Sequence, residues 1–285
     1  MARQLRIEFS GALYLVTSTG NAGNSIYRDD EDRQLFLDTL SEVILKYRWT
    51  CHAYCLMENH YHLCVETPKA NLSRGMQHLN GVFTQRTNGR HSQFGHIFHG
   101  RFKALIVEKE RFFLDVCRHI VTNPVRGGLA VAPEEWRWSS YRGTAGLDVP
   151  PYFLTTAEII RRLNGNGEAQ SRYREYVTAG DGALNLSELV TGQVYLGSKE
   201  FILHIQELLY EQNHDGEIPR QQLQAARLPL FELIPADGRP EREQGIHDAH
   251  VLHGYTLKEI GSFLGLHYTS VSRKVKKVGN TAGQR

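Results

Sequence analysis

Residues 51–66 read Cys51-His-Ala-Tyr-Cys-Leu-Met-Glu-Asn-His-Tyr-His-Leu-Cys-Val-Glu66. Two apolar segments flank a polar hinge at 58–59, which predicts two strands joined by a tight connection. Because side chains alternate across a strand, His60 and His62 are expected on one face and Tyr61 on the other. Imidazole is the commonest metal ligand in proteins, so this pair predicts a site for a divalent cation. The alternative is two half-exposed histidines on a sheet.

The segments around this pair alternate between strand and helix patterns. Residues 11–18 predict a first strand, and 29–47 predict a helix whose acidic start suits the positive end of the helix dipole. Further helices are expected at 72–87 and 108–122, and a fourth strand at 96–107. The order β-α-β-β-α-β plus an extra helix predicts an α+β fold of the ferredoxin-like split βαβ type, an antiparallel sheet with helices on one face.

Length and composition indicate a globular protein without a membrane segment. A chain of 285 residues suggests about two domains. Hydrophobic residues make up 41%, yet no apolar run is long enough to span a bilayer, and the polar start is unlike a signal peptide. The four cysteines lack the spacing of a disulfide framework or a zinc ribbon. Buried, reduced thiols in a cytoplasmic protein are therefore expected.

The net charge of +2 hides two basic segments on an otherwise acidic chain. Residues 71–103 contain five Lys or Arg and no acid, and residues 256–285 contain six Lys or Arg and one acid. Each segment carries +5, so the remainder carries 2 − 10 = −8. A solvated face explains either segment alone. Separated basic segments are what binding to a phosphate backbone requires.

The basic C-terminal segment has the pattern of a helix-turn-helix. Leu257, Ile260 and Leu264 form one apolar stripe, and Gly265 suits the turn. The alternative is a generic pair of surface helices. The second helix offers side chains suited to phosphate and groove contacts, namely Tyr268, Thr269, Ser272, Arg273, Lys274, Lys276 and Lys277.

Three further motifs follow the histidine pair. They are Gly95-His-Ile-Phe-His-Gly-Arg-Phe-Lys103, Asn123-Pro-Val-Arg-Gly-Gly-Leu129 and Trp136-Arg-Trp-Ser-Ser-Tyr141. With residues 51–66, they resemble the IS200-type single-tyrosine (HUH) transposases, most closely the branch associated with repetitive extragenic palindromes (REP). The C-terminal segment resembles the DNA-binding module of replication-initiator and Trp-repressor type proteins. The resemblance implies a transposase domain at 1–147, a helical connector at 148–240 and a helix-turn-helix module at 241–285.

The resemblance also implies a reaction. In this family, paired histidines and an amide side chain hold Mg²⁺ or Mn²⁺ against the scissile phosphate of single-stranded or hairpin DNA, and a tyrosine hydroxyl attacks the phosphorus. His60, His62 and Asn123 match the metal ligands. The nucleophile belongs four residues before Asn123, but position 119 is histidine. His119 is therefore the candidate catalytic residue, as a nucleophile, an additional metal ligand or a base that activates water.

This substitution leaves three functions open. They are altered or impaired strand cleavage and transfer, metal-dependent cleavage by water, and DNA binding by a domesticated protein without catalysis. Phe98 or Phe102 could stack on bases or belong to the core. Glu58, where the family usually has proline, could join the metal site or be a solvated acid. Duplex DNA is a further candidate partner for the helix-turn-helix, and the family includes both monomers and dimers. The expected DNA contacts in the transposase domain are Arg74, Arg86, Arg101, Lys103 and Arg126.

Overall fold

The structure is a computed structural model that describes residues 7–163, 168–179, 186–212, 228–236, 241–251 and 253–282. The chain divides into two compact units, the first ending at Leu189 and the second starting at Val190. The first unit contains the histidine pair. The second contains the segment predicted as a helix-turn-helix.

The first unit is built on an antiparallel arrangement of strands in the order β2-β3-β1-β4, which confirms the α+β class. The fourth strand is shorter than predicted, because Gly95 and Gly100 have φ values of 111° and 64° and interrupt the extended backbone before it. The strands are β1 (Ala12–Thr19), β2 (Thr50–Leu56), β3 (His60–Thr67) and β4 (Lys103–Val107).

Two long helices cover one face of these strands. They are α1 (Asp30–Tyr47) and α2 (Leu72–Arg90). Tyr61 of β3 packs against Phe36 of α1 with ring centroids 4.6 Å apart, and its hydroxyl donates to Asn80 of α2 over 2.6 Å. Tyr61 therefore points away from the histidine face, as the strand alternation predicts.

The third helix, α3 (Lys109–Val121), lies on the opposite face. The ring centroid of its His119 is 6.0 Å from that of His62, and Lys109 donates to Glu66 of β3 over 2.6 Å. The expectation that all helices share one face is therefore wrong. One side of α3 is apolar and buried, which allows it to cover the histidine face of β2 and β3.

The remaining helices of the first unit are short. The Trp136–Tyr141 motif runs along the outer edge of β2, where Ser140 N donates to Tyr54 O and Leu56 N donates to Trp138 O, each over 2.9 Å. This motif covers an exposed strand edge. The short helices are α4 (Asn123–Arg126), α5 (Tyr141–Thr144), α6 (Ala157–Arg162) and α7 (Ala169–Thr178).

The second unit combines a small hairpin with helices. Ile246, Ile260 and Val271 are fully buried in its hydrophobic cluster. Its elements are β5 (Val190–Thr191), β6 (Tyr195–Leu196), α8 (Lys199–Gln212), α9 (Leu230–Leu233), α10 (Arg242–Val251), α11 (Leu257–Leu264) and α12 (Tyr268–Ala282).

The connection from α11 to α12 follows from its sequence. Thr256 and Glu259 form a reciprocal capping box that starts α11, and Gly265 ends it with a left-handed φ of 68°. A Cβ at Gly261 would meet the carbonyl oxygen of Leu266 at 2.6 Å, so only glycine lets the turn approach this closely.

None of the helices in the described ranges has the length and apolarity to cross a bilayer. All four cysteines are buried and free, as predicted.

Candidate metal and DNA site

The histidine pair lies at the start of β3, on the face covered by α3. The ring centroids of His60 and His62 are 5.0 Å apart. His62 is only 8% exposed, whereas His60 is half-buried. The two imidazoles therefore share one face, as their spacing predicts.

Each imidazole is oriented by a polar neighbour. Nδ1 of His62 lies 2.8 Å from Oγ1 of Thr17, its cross-strand partner in β1. Nδ1 of His60 lies 2.8 Å from Oδ1 of Asn59. A carbonyl oxygen only accepts, so the second contact places the hydrogen of His60 on Nδ1 and leaves Nε2 as the acceptor. A hydrogen bond to the second ring nitrogen is the usual support of a metal-binding histidine.

The end of α3 and the start of α4 bring two further side chains, His119 and Asn123, next to the histidine pair. The side chain of Asn123 lies close enough to His60 to raise the pKa of that imidazole, against the larger opposite effect of burial. Pro124 lacks an amide hydrogen and follows the break between the two helices, so Asn123 begins α4 one turn beyond His119. The structure thus brings residues 60, 62, 119 and 123 together from two separate parts of the chain.

All three imidazoles are held in the neutral form. Burial lowers the pKa of His60. Burial also lowers the pKa of His62 well below its ordinary value, and the proximity of His60, His119 and Arg126 further disfavours its protonation. Burial and the nearby Arg126 lower the pKa of His119 to about 4. Because metal ligands must be deprotonated, these shifts keep the donor atoms ready at neutral pH.

His119 does not form a tight three-histidine group with the pair. Within the described ranges, the one set of three His, Cys, Asp or Glu donors that lie within 4.8 Å of one another is Asp29, Asp32 and His91. At the histidine site, the side chains that could hold a divalent cation are His60, His62 and Asn123. The carboxylate of Glu58 is exposed on the hinge.

The carboxylate cluster already contains a cation. Nη1 of Arg90 lies 2.8 Å from both Asp29 Oδ2 and Asp32 Oδ1, and Nε2 of His91 lies 2.9 Å from Asp32. The amide of Arg28 also donates to Asp32, which is completely buried. The guanidinium takes the place that a metal ion would need, so this cluster is an ion-pair network that joins α2 to the start of α1.

The predicted DNA contacts in the first unit separate into two groups. Lys103 is exposed and stands opposite Thr17 in the strand register, so it faces the same side as His62. Arg126 is exposed at the end of α4 and donates to the backbone oxygen of His119 over 2.7 Å. Arg74 and Arg101 are exposed. Arg86 instead forms a bidentate ion pair with Glu42 of α1, with distances of 2.9 and 3.0 Å.

The aromatic residues near β4 belong to the core. Phe98 is 7% exposed and packs against Tyr61 and Phe83, and Phe102 is also 7% exposed. The interpretation of these two rings as base-stacking platforms is therefore wrong.

In the second unit, α12 presents most of the side chains predicted to contact DNA. Tyr268, Thr269, Arg273 and Lys276 are exposed, and Ser272 is partly exposed. By contrast, two cations of the same helix are paired. Lys274 and Lys277 lie 3.4 and 3.0 Å from the carboxylate of Glu243 on α10.

Comparison with known proteins agrees with the resemblance of the first unit. Residues 14–122 match the family of IS200-like transposases. The matched segment runs from β1 through α3 and includes His60, His62 and His119. A solved structure of a REP-associated tyrosine transposase bound to a REP hairpin is similar over 54% of this chain and 92% of that chain, with a TM-score of 0.46 and 16% identity. A search among curated proteins finds no match.

Proposed function

We propose that this protein binds single-stranded or hairpin DNA, such as repetitive palindromes, and cleaves and transfers the strand with the help of a divalent metal ion. The observation that carries the proposal is the convergence of His60, His62 and Asn123, with His119 one helical turn away. The match of residues 14–122 to IS200-like transposases supports it independently. The four strands with α1 and α2 then form a ferredoxin-like core, and α3 completes the site.

His60, His62 and Asn123 would hold Mg²⁺ or Mn²⁺, and a bound ion supplies positive charge to the phosphoryl oxygens. Thr17 and Asn59 act as positioning residues, because they fix the orientation of the two imidazoles. Lys103, on the same side of the strands, is placed to contact the DNA backbone near the scissile phosphate. Arg74, Arg101 and Arg126 add exposed charge for the same backbone.

His119 would perform the step that a tyrosine performs in the family. Its neutral imidazole has a lone pair that can attack phosphorus, so that an N–P bond forms and the P–O3′ bond breaks. The other ring nitrogen then loses its hydrogen through solvent and the leaving O3′ gains one, which gives a 3′-hydroxyl. Reversal by another 3′-hydroxyl would transfer the strand. The second candidate is hydrolysis, for which the lowered pKa of His119 leaves the imidazole unprotonated at neutral pH. The imidazole takes a proton from water, hydroxide attacks the phosphorus, and the proton passes to the leaving O3′, so that the products are a 5′-phosphate and a 3′-hydroxyl.

The second unit would add recognition of DNA. In α11 and α12, the apolar stripe is packed inward and Tyr268, Thr269, Arg273 and Lys276 face outward, as groove and phosphate contacts require. We propose that residues 241–285 act as a helix-turn-helix module for duplex DNA, beside a transposase domain at 1–147 and a connector at 148–240, in a cytoplasmic protein.

Incubation of the protein with labelled hairpin DNA and Mn²⁺ tests the catalytic proposal. An acid-labile, alkali-stable adduct on a denaturing gel is expected for attack by His119, and cleavage without an adduct indicates the water route. His60→Ala should abolish both products. Binding without cleavage would overturn the catalytic proposal and favour a DNA-binding protein without catalysis.

A further inference from the structure

A polar cavity of about 380 Å³ lies next to the hinge between β2 and β3. Its walls are the loop after β1, the last turn of α2 and the loop at 93–97. The first wall is fixed to the hinge, because Ile26 N donates to the carbonyl oxygen of Glu58 over 2.8 Å. The cavity is therefore anchored two residues from His60.

The side chains that line the cavity offer both donors and acceptors. Thr87 is 4% exposed, and its hydroxyl has no partner among the described residues. Asn88 donates through Nδ2 to Gly95 O over 2.9 Å, which leaves its amide oxygen to accept. Gln93 accepts from Arg28 through Oε1, which leaves its amide hydrogens to donate. A mixed set of this kind is complementary to the edge of a nucleobase.

Two more features narrow the ligand class. Phe94 lines the same cavity and is 100% exposed, so its ring is open for stacking. The lining includes Arg28 and contains no carboxylate, so it is compatible with a ligand attached to phosphate. Bases stack on aromatic side chains irrespective of sequence, whereas hydrogen-bonding groups select among them.

We propose that this cavity binds one unpaired base of the DNA strand, stacked on Phe94 with its edge toward Thr87, Asn88 and Gln93. The inference rests on the proposed function, since it needs a single-stranded segment near the metal site. Binding there would fix which phosphate reaches His60 and His62. The cavity is thus a sequence-selective subsite, separate from the residues that hold the metal.

An abasic scan tests this inference. The Kd of wild-type protein is measured for a series of hairpin oligonucleotides, each lacking one base of the single-stranded flank. Loss of one particular base should weaken binding by about tenfold, as expected for a stacked base. Phe94→Ala should bind the complete oligonucleotide about tenfold more weakly and no longer respond to that abasic position, whereas Phe94→Trp should keep both properties.

Two variants serve as controls. Thr87→Val keeps the shape of the side chain and removes its hydroxyl, and should change which base is preferred at that position. Val131→Ala alters another exposed apolar residue and should behave as wild type. An excess of free deoxynucleoside monophosphates should not displace the DNA base from the cavity, so the Kd for the complete oligonucleotide should not change. A weaker Kd in their presence would show that the site serves free nucleotides rather than DNA.

The failures are distinguishable. If the wild-type protein binds DNA and Phe94→Ala responds to every abasic position as wild type does, the cavity proposal is wrong and the proposed function stands. If the wild-type protein binds none of the oligonucleotides, both are wrong.

Discussion

Among its described residues, the first unit has two clusters of side chains of the types that bind metals, and they differ in what lies at their centre. In the cluster of Asp29, Asp32 and His91, the donor atoms are close enough for a metal, but the guanidinium of Arg90 lies among them. At His60 and His62, the ring centroids are 5.0 Å apart, and each Nδ1 is held by a polar side chain. Proximity of ligand atoms alone would therefore select the carboxylate cluster, whereas the metal site that we propose is the histidine site.

The physical basis of the difference is charge. Asp32 is completely buried, and a buried carboxylate is costly unless a cation and hydrogen bonds compensate it. Arg90 supplies that cation permanently. The imidazoles are neutral, so burial imposes no comparable demand, and their remaining ring nitrogens stay available to an external ion.

The largest expected effect concerns position 119. His119→Tyr should raise the amount of covalent protein–DNA adduct by on the order of a thousandfold, since loss of a nucleophile costs about a million-fold in a hydrolase. The adduct should also change from acid-labile to acid-stable. The measurement is a denaturing gel with labelled hairpin DNA and Mn²⁺. An unchanged adduct level in a variant that still binds metal would show that the nucleophile lies elsewhere.

Substitution in the cluster of Asp29, Asp32 and His91 should reduce the stability of the fold rather than the binding of a metal ion. Arg90→Met leaves the buried Asp32 without its guanidinium and should lower the free energy of unfolding by clearly more than the loss of an exposed ion pair does. Arg86→Met, one turn earlier, removes a partner of the exposed Glu42 and should cost less than about 1 kcal/mol. Urea unfolding followed by tryptophan fluorescence compares the two. Equal losses would contradict the structural role assigned to Arg90.

The support of the histidine cluster can be tested at Thr17. Thr17→Val keeps the shape of the side chain but removes the hydroxyl from Nδ1 of His62, and should weaken Mn²⁺ binding by roughly 10- to 100-fold. Thr17→Ser should restore most of the affinity. Nitrogen NMR of the metal-free protein should show a shift of the His62 tautomer in the valine variant alone. If valine and serine bind Mn²⁺ equally, Thr17 is a packing residue.

The smallest expected effect concerns the cations of α12, two of which are paired with a carboxylate. Replacement of Arg273 and Lys276 by Gln should flatten the plot of log Kd against log salt by about two, because about two phosphate contacts are lost. Replacement of Lys274 and Lys277, which Glu243 already pairs, should change the slope much less. Similar slopes for both double variants would show that α12 does not distinguish its cations in this way.

Local patterns predicted much of this architecture. The alternation at 60–62 predicted the shared face of the histidines, and the helical pattern at 108–122 predicted both ends of α3 to within one residue. The apolar stripe at 257, 260 and 264, together with Gly265, predicted the turn between α11 and α12. Each of these depends on residues that are close in the sequence, where geometry follows from the backbone period.

The parts that were not predicted depend on pairing between distant residues. An amphipathic pattern shows that α3 buries one side, but not which face of the sheet it covers. Thr17 supports His62 through a strand register that spans 45 residues. The acids that neutralise Arg86 and Arg90 come from α1 and the residue that caps it, Asp29. A basic stretch in the sequence is therefore not yet a basic surface.

Titration of metal-free protein with Mn²⁺, followed by electron paramagnetic resonance, tests the choice between the two clusters most directly. Wild type and Asp29→Asn, which keeps the helix cap, should bind one ion, and His62→Ala should bind none. Binding that survives in His62→Ala and disappears in Asp29→Asn would contradict the assignment of the metal to the histidine site.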